Sequence, residues 1–174
     1  MIRRPRIEDL KELEEFFHLV ISDTFGKEGL AELVDDIKEE VSSKIDYIKK
    51  DLDSNGQEMY FLVYEMDQKI VGTAAIGPTG HLIYDHMPEL KSVKELGSVL
   101  IHPEYQGQGI GTKLVDKIID RLSEITTGYC LDSGYAIAKQ IWTKKFGEPT
   151  KILKDFWSPG ADHYIWHIKF PSTL

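Results

Sequence analysis

The sequence has little cysteine, no long apolar segment and a shortage of positive charge. Cys130 is the only cysteine among 174 residues, which excludes an internal disulfide and is typical of the reducing cytoplasm. No apolar run approaches the roughly 20 residues of a membrane-spanning helix. Residues 1–6 are basic, but the apolar core of a signal peptide does not follow them. We therefore expect a cytoplasmic protein without a membrane partner.

The shortage of basic residues also limits the partners. Lysine and arginine number 21 against 29 acidic residues, which gives a formal net charge of -8. Nucleic acid is a poor partner for such a chain, because phosphate contacts need lysine and arginine. A cationic partner such as an amine suits the acidic balance better.

The histidines do not form a pattern typical of a metal site. His163 and His167 are four residues apart, but on a strand this spacing separates them by about 13 Å. His81 and His86 lie in a loop without a cysteine partner. We therefore predict no metal, and we interpret Cys130, in the middle of a strand, as an inert core residue.

The length and the 41% apolar fraction predict a single domain over residues 1–174 with a mixed α and β core. Asp9 and Glu12 are typical of a capping box at the start of the first helix. Alternation in the last strand predicts one buried face. Apolar periodicity and turn residues predict helices over residues 10–26, 30–52, 110–122 and 138–146, and strands over 2–7, 59–66, 69–76, 99–101, 128–132, 151–157 and 163–170.

A glycine-rich loop stands between the apolar run 99–101 and the helix that begins near Ile110. Gly107, Gly109 and Gly111 give this loop conformational freedom and let its backbone approach a ligand closely. The first turn of a helix offers N–H groups and the positive end of the helix dipole. A strand, a glycine loop and a helix N-terminus in this order indicate a phosphate-binding device.

The loop resembles the acetyl-CoA-dependent N-acetyltransferases of the GNAT superfamily. Gln106-x-x-Gly109-x-Gly111 matches their Q/R-x-x-G-x-G/A signature, and Ile101-His102-Pro103 resembles the V-x-P that precedes it. The resemblance is strongest over residues 93–122. It implies an α/β fold with a bent, mostly antiparallel sheet of six to seven strands, flanked by about four helices. It also implies direct transfer of an acetyl group from acetyl-CoA to a primary amine.

The resemblance further implies which residues bind the cofactor. Backbone groups of Val99 and Ile101 would hold the pantetheine arm, and the Ile101 N–H would polarise the thioester carbonyl. Ser133 would contact the cofactor or cap the next helix. The pyrophosphate would lie on the backbone of Gln106, Gly107, Gln108, Gly109, Ile110, Gly111 and Thr112.

Glu95 is the candidate base, because histone-acetylating members of the superfamily carry a glutamate at this offset from their V-x-P-like valine. In a regular strand Glu95, Gly97, Val99 and Ile101 point to one face, although a bulge would break this count. The alternative is a solvated charge at the start of a strand.

The sequence differs from the family pattern at the position of the residue that protonates the leaving thiolate. Many members carry asparagine and then tyrosine on the helix after the fifth strand, where this chain has Ala136 and Thr143. Tyr135, another tyrosine or water would then supply the proton.

Two alternatives stay open on the sequence. The glycine loop also suits a Rossmann-type nucleotide-binding protein, with Asp132 as the ribose-binding acid, although the spacing is G-x-G-x-G. The missing tyrosine suits a non-catalytic module that binds acetyl-CoA. A homodimer is compatible with both the GNAT enzyme and the non-catalytic module, because proteins with the GNAT fold often form dimers.

Overall fold

The computed structural model describes residues 1–172, in which seven strands and five helices follow one another. The predicted order of elements is confirmed, with one short additional helix in the segment between the third and fourth strands. The elements are β1 (Ile2–Arg3), α1 (Leu10–Lys27), α2 (Val34–Ser54), β2 (Tyr60–Met66), β3 (Lys69–Pro78), α3 (His81–Tyr84), β4 (Lys94–Ile101), α4 (Ile110–Ile125), β5 (Gly128–Ser133), α5 (Ala136–Phe146), β6 (Lys151–Ser158) and β7 (Ala161–Lys169).

The strands hydrogen-bond in the order β1-β2-β3-β4-β5-β7-β6. The β1–β2, β2–β3, β5–β7 and β6–β7 pairs are antiparallel, whereas β4 and β5 run parallel. The predicted α/β fold with a mostly antiparallel sheet is therefore confirmed.

The chain divides into two compact units. The first comprises residues 1–77 and 98–120, and the second comprises residues 78–97 and 121–174. The single domain over residues 1–174 stays a prediction, and residues 173–174 lie outside the described part of the chain.

The core of the first unit lies where α1 and α2 pack on the apolar residues of β2 and β3. Leu13, Phe17, Ile48, Phe61 and Val63 are fully buried in it. The apolar residues of α2 therefore face an ordinary core, as expected for an amphipathic helix on a sheet.

The predicted capping box of α1 is wrong. Asp9 occupies the N-cap position of α1 but makes no side-chain cap hydrogen bond. Its carboxylate instead accepts two hydrogen bonds from the Arg3 guanidinium, at 2.8 and 3.0 Å, and one from the Arg6 N–H. Arg3 also binds Glu65 on β2, so these charges tie the N-terminal segment to the sheet.

The second helix begins at Val34 and not at the predicted Leu30. Gly29 has φ +74° and its N–H bonds to the Gly26 carbonyl, while the Leu30 N–H bonds to the Phe25 carbonyl at 2.7 Å. These bonds form a Schellman motif, in which an apolar residue follows the left-handed glycine. Leu30 therefore belongs to the motif that caps α1 after Lys27, and its apolar side chain does not mark the start of a new helix.

In the second unit, Cys130 lies in a small core with Ile83, Met87, Leu90 and Ile165. Burial raises the pKa of the Cys130 thiol to about 12. The prediction of one buried face on β7 is wrong, because the neighbouring Ile165 and Trp166 point to opposite faces and are both fully buried.

Candidate functional site

The glycine loop combines unusual backbone angles with an open surface. Gly107 has φ +76° and Gly109 has φ +81°, a conformation that side chains with a Cβ rarely adopt. Apart from the chain neighbours of each glycine, no heavy atom of the described residues lies within 4 Å of a Cβ built on Gly107 or Gly109. Gln108 between them is exposed. The backbone of this loop is therefore accessible to a ligand.

Helix α4 begins directly at this loop. The Lys113 N–H donates to the Gly109 carbonyl at 3.1 Å, so Gly109 opens the helical hydrogen-bond ladder. The N–H groups of Ile110, Gly111 and Thr112 belong to the first turn, where a helix has no acceptors of its own. The first turn of α4 contains no acidic residue, whereas that of α2 contains Asp35 and Asp36. The positive end of α4 thus suits an external anion.

Gln106 fixes the start of the loop through its side chain. Its Nε2 donates to the Ile101 carbonyl at 3.1 Å, and its Oε1 accepts from Lys27 Nζ at 3.2 Å. The side chain therefore braces the loop against the end of β4 and the end of α1. These contacts explain the glutamine of the signature by a structural role, which does not require its amide to contact the ligand.

Strand β4 is not regular. Ser98 has φ +52°, a left-handed conformation inside a strand, which is the geometry of a bulge. This bulge interrupts the alternation of side chains at Ser98. The prediction that Glu95, Gly97, Val99 and Ile101 share one face therefore does not extend across this residue. Sequence reasoning missed this residue, and Gly97 beside it was the only signal, because glycine inside a strand often marks a bulge.

Glu95 lies in the second unit, on the first half of β4. Its Oε1 accepts a hydrogen bond from the Gly80 N–H at 2.9 Å, at the start of α3. The carboxylate is thus oriented by a backbone N–H, and it is not simply a solvated charge. Its Oε2 lies 3.5 Å from a Cβ built on Gly97, which is an ordinary van der Waals distance.

Ser133 and Tyr135 form the turn that leads from β5 into α5. Tyr135 is the N-cap residue of α5, so the prediction that Ser133 caps this helix is wrong. Ser133 is buried, and its Oγ accepts from the Tyr135 N–H at 3.2 Å. Its hydroxyl therefore holds the turn before the helix.

Thr143 lies in α5, at the place where the family pattern has its tyrosine. Its Oγ1 is buried and has no hydrogen-bond partner within residues 1–172. A threonine hydroxyl is a poor acid, and no hydrogen-bond partner in the described part of the chain activates this one.

Asp132 belongs to a hydrogen-bonded chain of side chains that sequence reasoning missed, in which His163 is buried and Trp157 is exposed. His163 Nε2 lies 2.9 Å from Asp132 Oδ2, and Trp157 Nε1 donates to His163 Nδ1 at 3.2 Å. Since Nδ1 accepts from the indole, the imidazole N–H is on Nε2 and faces the carboxylate. Residues 132 and 163 are 31 apart on the chain, so no local spacing signals the pair.

A group of three or more histidine, cysteine or acidic side chains with metal-site geometry does not occur in residues 1–172. No helix in the same part of the chain is long and apolar enough to cross a bilayer.

The sequence matches the family model described as Acetyltransferase (GNAT) family over residues 16–148. The chain belongs to the GNAT acetyltransferase family. GNAT enzymes are acyltransferases, and the glycine loop and β4 lie within the matched range. No match was found among curated protein sequences.

Solved GNAT structures share this fold at low identity. PaiA N-acetyltransferase from Thermoplasma acidophilum, solved with coenzyme A, has 19% identity and a TM-score of 0.72, with 98% of each chain covered. Ribosomal-protein-alanine N-acetyltransferase from Brucella melitensis has 18% identity and a TM-score of 0.69, with 98% of this chain and 99% of that chain covered. The protein yncA from Salmonella typhimurium, solved with its cofactor acetyl-CoA, has 14% identity and a TM-score of 0.69, with 100% of this chain and 95% of that chain covered.

The Rossmann alternative is wrong. A Rossmann fold needs a mostly parallel sheet, whereas here β5 pairs antiparallel with β7 along its whole length. Asp132, its candidate ribose ligand, is paired with His163.

Proposed function

We propose that this GNAT protein transfers an acetyl group from acetyl-CoA directly to a primary amine, with both substrates bound together. The observation that carries the proposal is the left-handed, open glycine loop at the acid-free N-terminus of α4. This arrangement suits a pyrophosphate, because backbone N–H groups and the helix dipole both favour negative charge.

In this proposal the backbone of residues 106–112 holds the pyrophosphate, and backbone groups of Val99 and Ile101 hold the pantetheine arm. The Ile101 N–H donates to the thioester carbonyl oxygen, where negative charge develops. Two relatives solved with coenzyme A or acetyl-CoA support the choice of cofactor. Ser133 supports the site indirectly, because its hydroxyl holds the turn before α5.

The reaction needs two proton transfers. The amine nitrogen attacks the thioester carbon, and the carbon–sulfur bond breaks. Glu95 takes the proton that the amine loses, directly or through a water molecule, and Tyr135 or water protonates the departing thiolate. The Gly80 N–H supports this role for Glu95, because it fixes the direction of the carboxylate.

The first test compares wild type with Glu95→Gln. Removing the base should lower kcat by roughly 10²–10⁴-fold, because that is the usual contribution of a general base. Acetyl-CoA affinity, measured by calorimetry, should not change. Turnover is measured by mass spectrometry of the acetylated amine.

Glu89→Gln is the matched control, because it removes the same charge at an exposed residue of the same unit. Equal activity of Glu95→Gln and Glu89→Gln would remove Glu95 from the mechanism. A wild-type protein that does not bind acetyl-CoA would refute the proposed function as a whole.

A non-catalytic acetyl-CoA-binding module is the second candidate, because Thr143 stands where many family members carry the tyrosine acid. Saturable acetyl-CoA binding without turnover of a panel of amino acids, polyamines, aminoglycosides and peptides would favour it. Acetylation of any of them would reject it.

The acceptor in the main proposal is a small cationic amine, which the net charge of -8 attracts. A cytoplasmic location and a possible homodimer belong to the same proposal.

A further inference from the structure

The bulge in β4 depends on a residue that is not suited to it. Ser98 has φ +52°, and a residue with a Cβ loses roughly 1–2 kcal/mol in the left-handed region. Ser98 directly precedes residues 99–101, whose backbone the proposed function assigns to the cofactor. Such a conformation persists only where neighbouring groups hold it.

Two hydrogen bonds hold Ser98 in the first unit. Thr73 on β3, which is fully buried, donates through its Oγ1 to the Ser98 carbonyl at 2.8 Å. Lys44 on α2 donates from its Nζ to the Ser98 Oγ at 3.1 Å. One bond fixes the backbone, and the other fixes the side chain.

Lys44 is itself held in place. It is half-buried, and its Nζ lies 5.6 Å from the centre of the Tyr47 ring, within the range of a cation–π contact. The sequence places Lys44 on the charged side of α2, next to the apolar residue Ile45, so its position gives no sign of this contact.

We propose that Lys44 is a positioning residue of the acetyl-CoA site, which acts by holding Ser98 in the bulged conformation of β4. The inference rests on the proposed function, because it assigns Lys44 to the cofactor site. Lys44 acts through Ser98 and does not touch the reacting atoms.

Glycine at position 98 provides the test, because glycine adopts positive φ without strain. Lys44→Met should weaken acetyl-CoA binding about tenfold, which corresponds to 1.4 kcal/mol. Without Lys44 the strained backbone at Ser98 relaxes in the free protein, and cofactor binding then has to restore it. Ser98→Gly should bind within about threefold of wild type. The double variant should bind like Ser98→Gly, because the bulge no longer needs Lys44. Calorimetry measures all four affinities.

Lys50→Met is the control, since Lys50 lies on the same helix, and its Nζ is 6.0 Å from the same Tyr47 ring. It should bind acetyl-CoA like wild type. Amide hydrogen exchange of residues 98–101 without ligand should rise in Lys44→Met and stay low in the double variant.

The outcomes separate the inference from the proposed function. If Lys44→Met binds like wild type, or if the double variant stays as weak as Lys44→Met, the positioning role is overturned; the second result would mean that Lys44 contacts the ligand itself. If wild type does not bind acetyl-CoA, the proposed function fails and the assignment of Lys44 to the site fails with it. The exchange data then still decide whether Lys44 holds Ser98.

Discussion

At the scale of single residues, left-handed backbone positions divide into those that a glycine occupies freely and those that other contacts enforce. Gly107 and Gly109 need no support, whereas Ser98 is held by Thr73 and Lys44. A motif search finds the glycines because residue type reports their backbone angles. It misses Ser98, because its conformation is fixed by contacts from β3 and α2.

Gly109→Ala should weaken acetyl-CoA binding roughly tenfold, because an L side chain at φ +81° costs about 1–2 kcal/mol and shifts the loop. Calorimetric titration checks this. Gly29→Ala is the control, because Gly29 has φ +74° in equally open surroundings at the end of α1. It should lose similar stability and keep its affinity. Equal affinity losses in the two variants would mean that stability alone explains the effect.

His167 should make the fold sensitive to mild acid. Burial lowers the pKa of His167 below its ordinary value of 6.5, and the nearby Lys169 lowers it further, although Glu89 opposes this. The unfolded chain therefore binds a proton first as pH falls, so the free energy of unfolding decreases from above 6.5 down through the folded-state pKa.

His167→Gln should remove this part of the pH dependence and leave the rest unchanged. Urea unfolding of both proteins at a series of pH values measures the difference. Identical slopes would contradict the assignment to His167.

At the scale of elements, close packing of strands makes some glycines irreplaceable for a reason other than backbone angle. A Cβ on Gly128, at the start of β5, would lie 2.7 Å from the Ile168 carbonyl oxygen on β7. That oxygen is part of the backbone and cannot rotate away. Gly128→Ala should therefore lower the free energy of unfolding by about 1–3 kcal/mol.

Gly26→Ala should act in the opposite direction. Gly26 lies in α1 and does not have a positive φ, and apart from its chain neighbours and the nearby backbone of α1, no described heavy atom lies within 4 Å of a Cβ built there. Alanine should stabilise the helix by about 0.5 kcal/mol, since glycine carries the larger entropic cost. Chemical unfolding of both variants gives the two signs, and a loss of stability in Gly26→Ala would show that α1 is packed differently there.

Element boundaries were predictable where they depend on local chemistry. Asp67 and Gln68 both have positive φ and close the β2–β3 hairpin at the predicted turn. The start of α2 was predicted four residues too early, because Leu30 fits the helical spacing although its N–H belongs to the end of α1. Asp9 and Glu12 matched the pattern of a capping box. In the structure, however, the Asp9 carboxylate accepts from Arg3, and the Glu12 carboxylate accepts from the Ile70 N–H at 2.7 Å.

At the scale of the whole molecule, the order of elements and the glycine loop were readable from the sequence. The contacts that set the candidate site were not. Lys44 and Ser98 are 54 residues apart, Asp132 and His163 are 31 apart, and Thr73 and Ser98 are 25 apart. Periodicity and motifs report neighbours on the chain, so pairs at these separations require the folded structure.

Net charge should govern solubility. The sequence pI is about 5.2, so the net charge of -8 at pH 7 disappears on acidification. Molecules without net charge repel one another least. Turbidity of concentrated protein across a pH series should therefore reach its maximum near pH 5.2, and added salt should lower the solubility difference between pH 7 and the pI. A maximum far from that pH would indicate that an apolar surface controls association.

Cys130 has a practical consequence for enzymology. The thiol is fully buried and its pKa is raised to about 12, so at neutral pH it is neither accessible nor ionised. A chromogenic disulfide reagent added to the native protein should therefore develop no colour from the polypeptide. Any absorbance in a reaction with acetyl-CoA and an amine then reports free coenzyme A, which allows continuous screening of acceptors without mutating the protein. For the same reason, a cysteine engineered on the surface would be the only site for a maleimide dye.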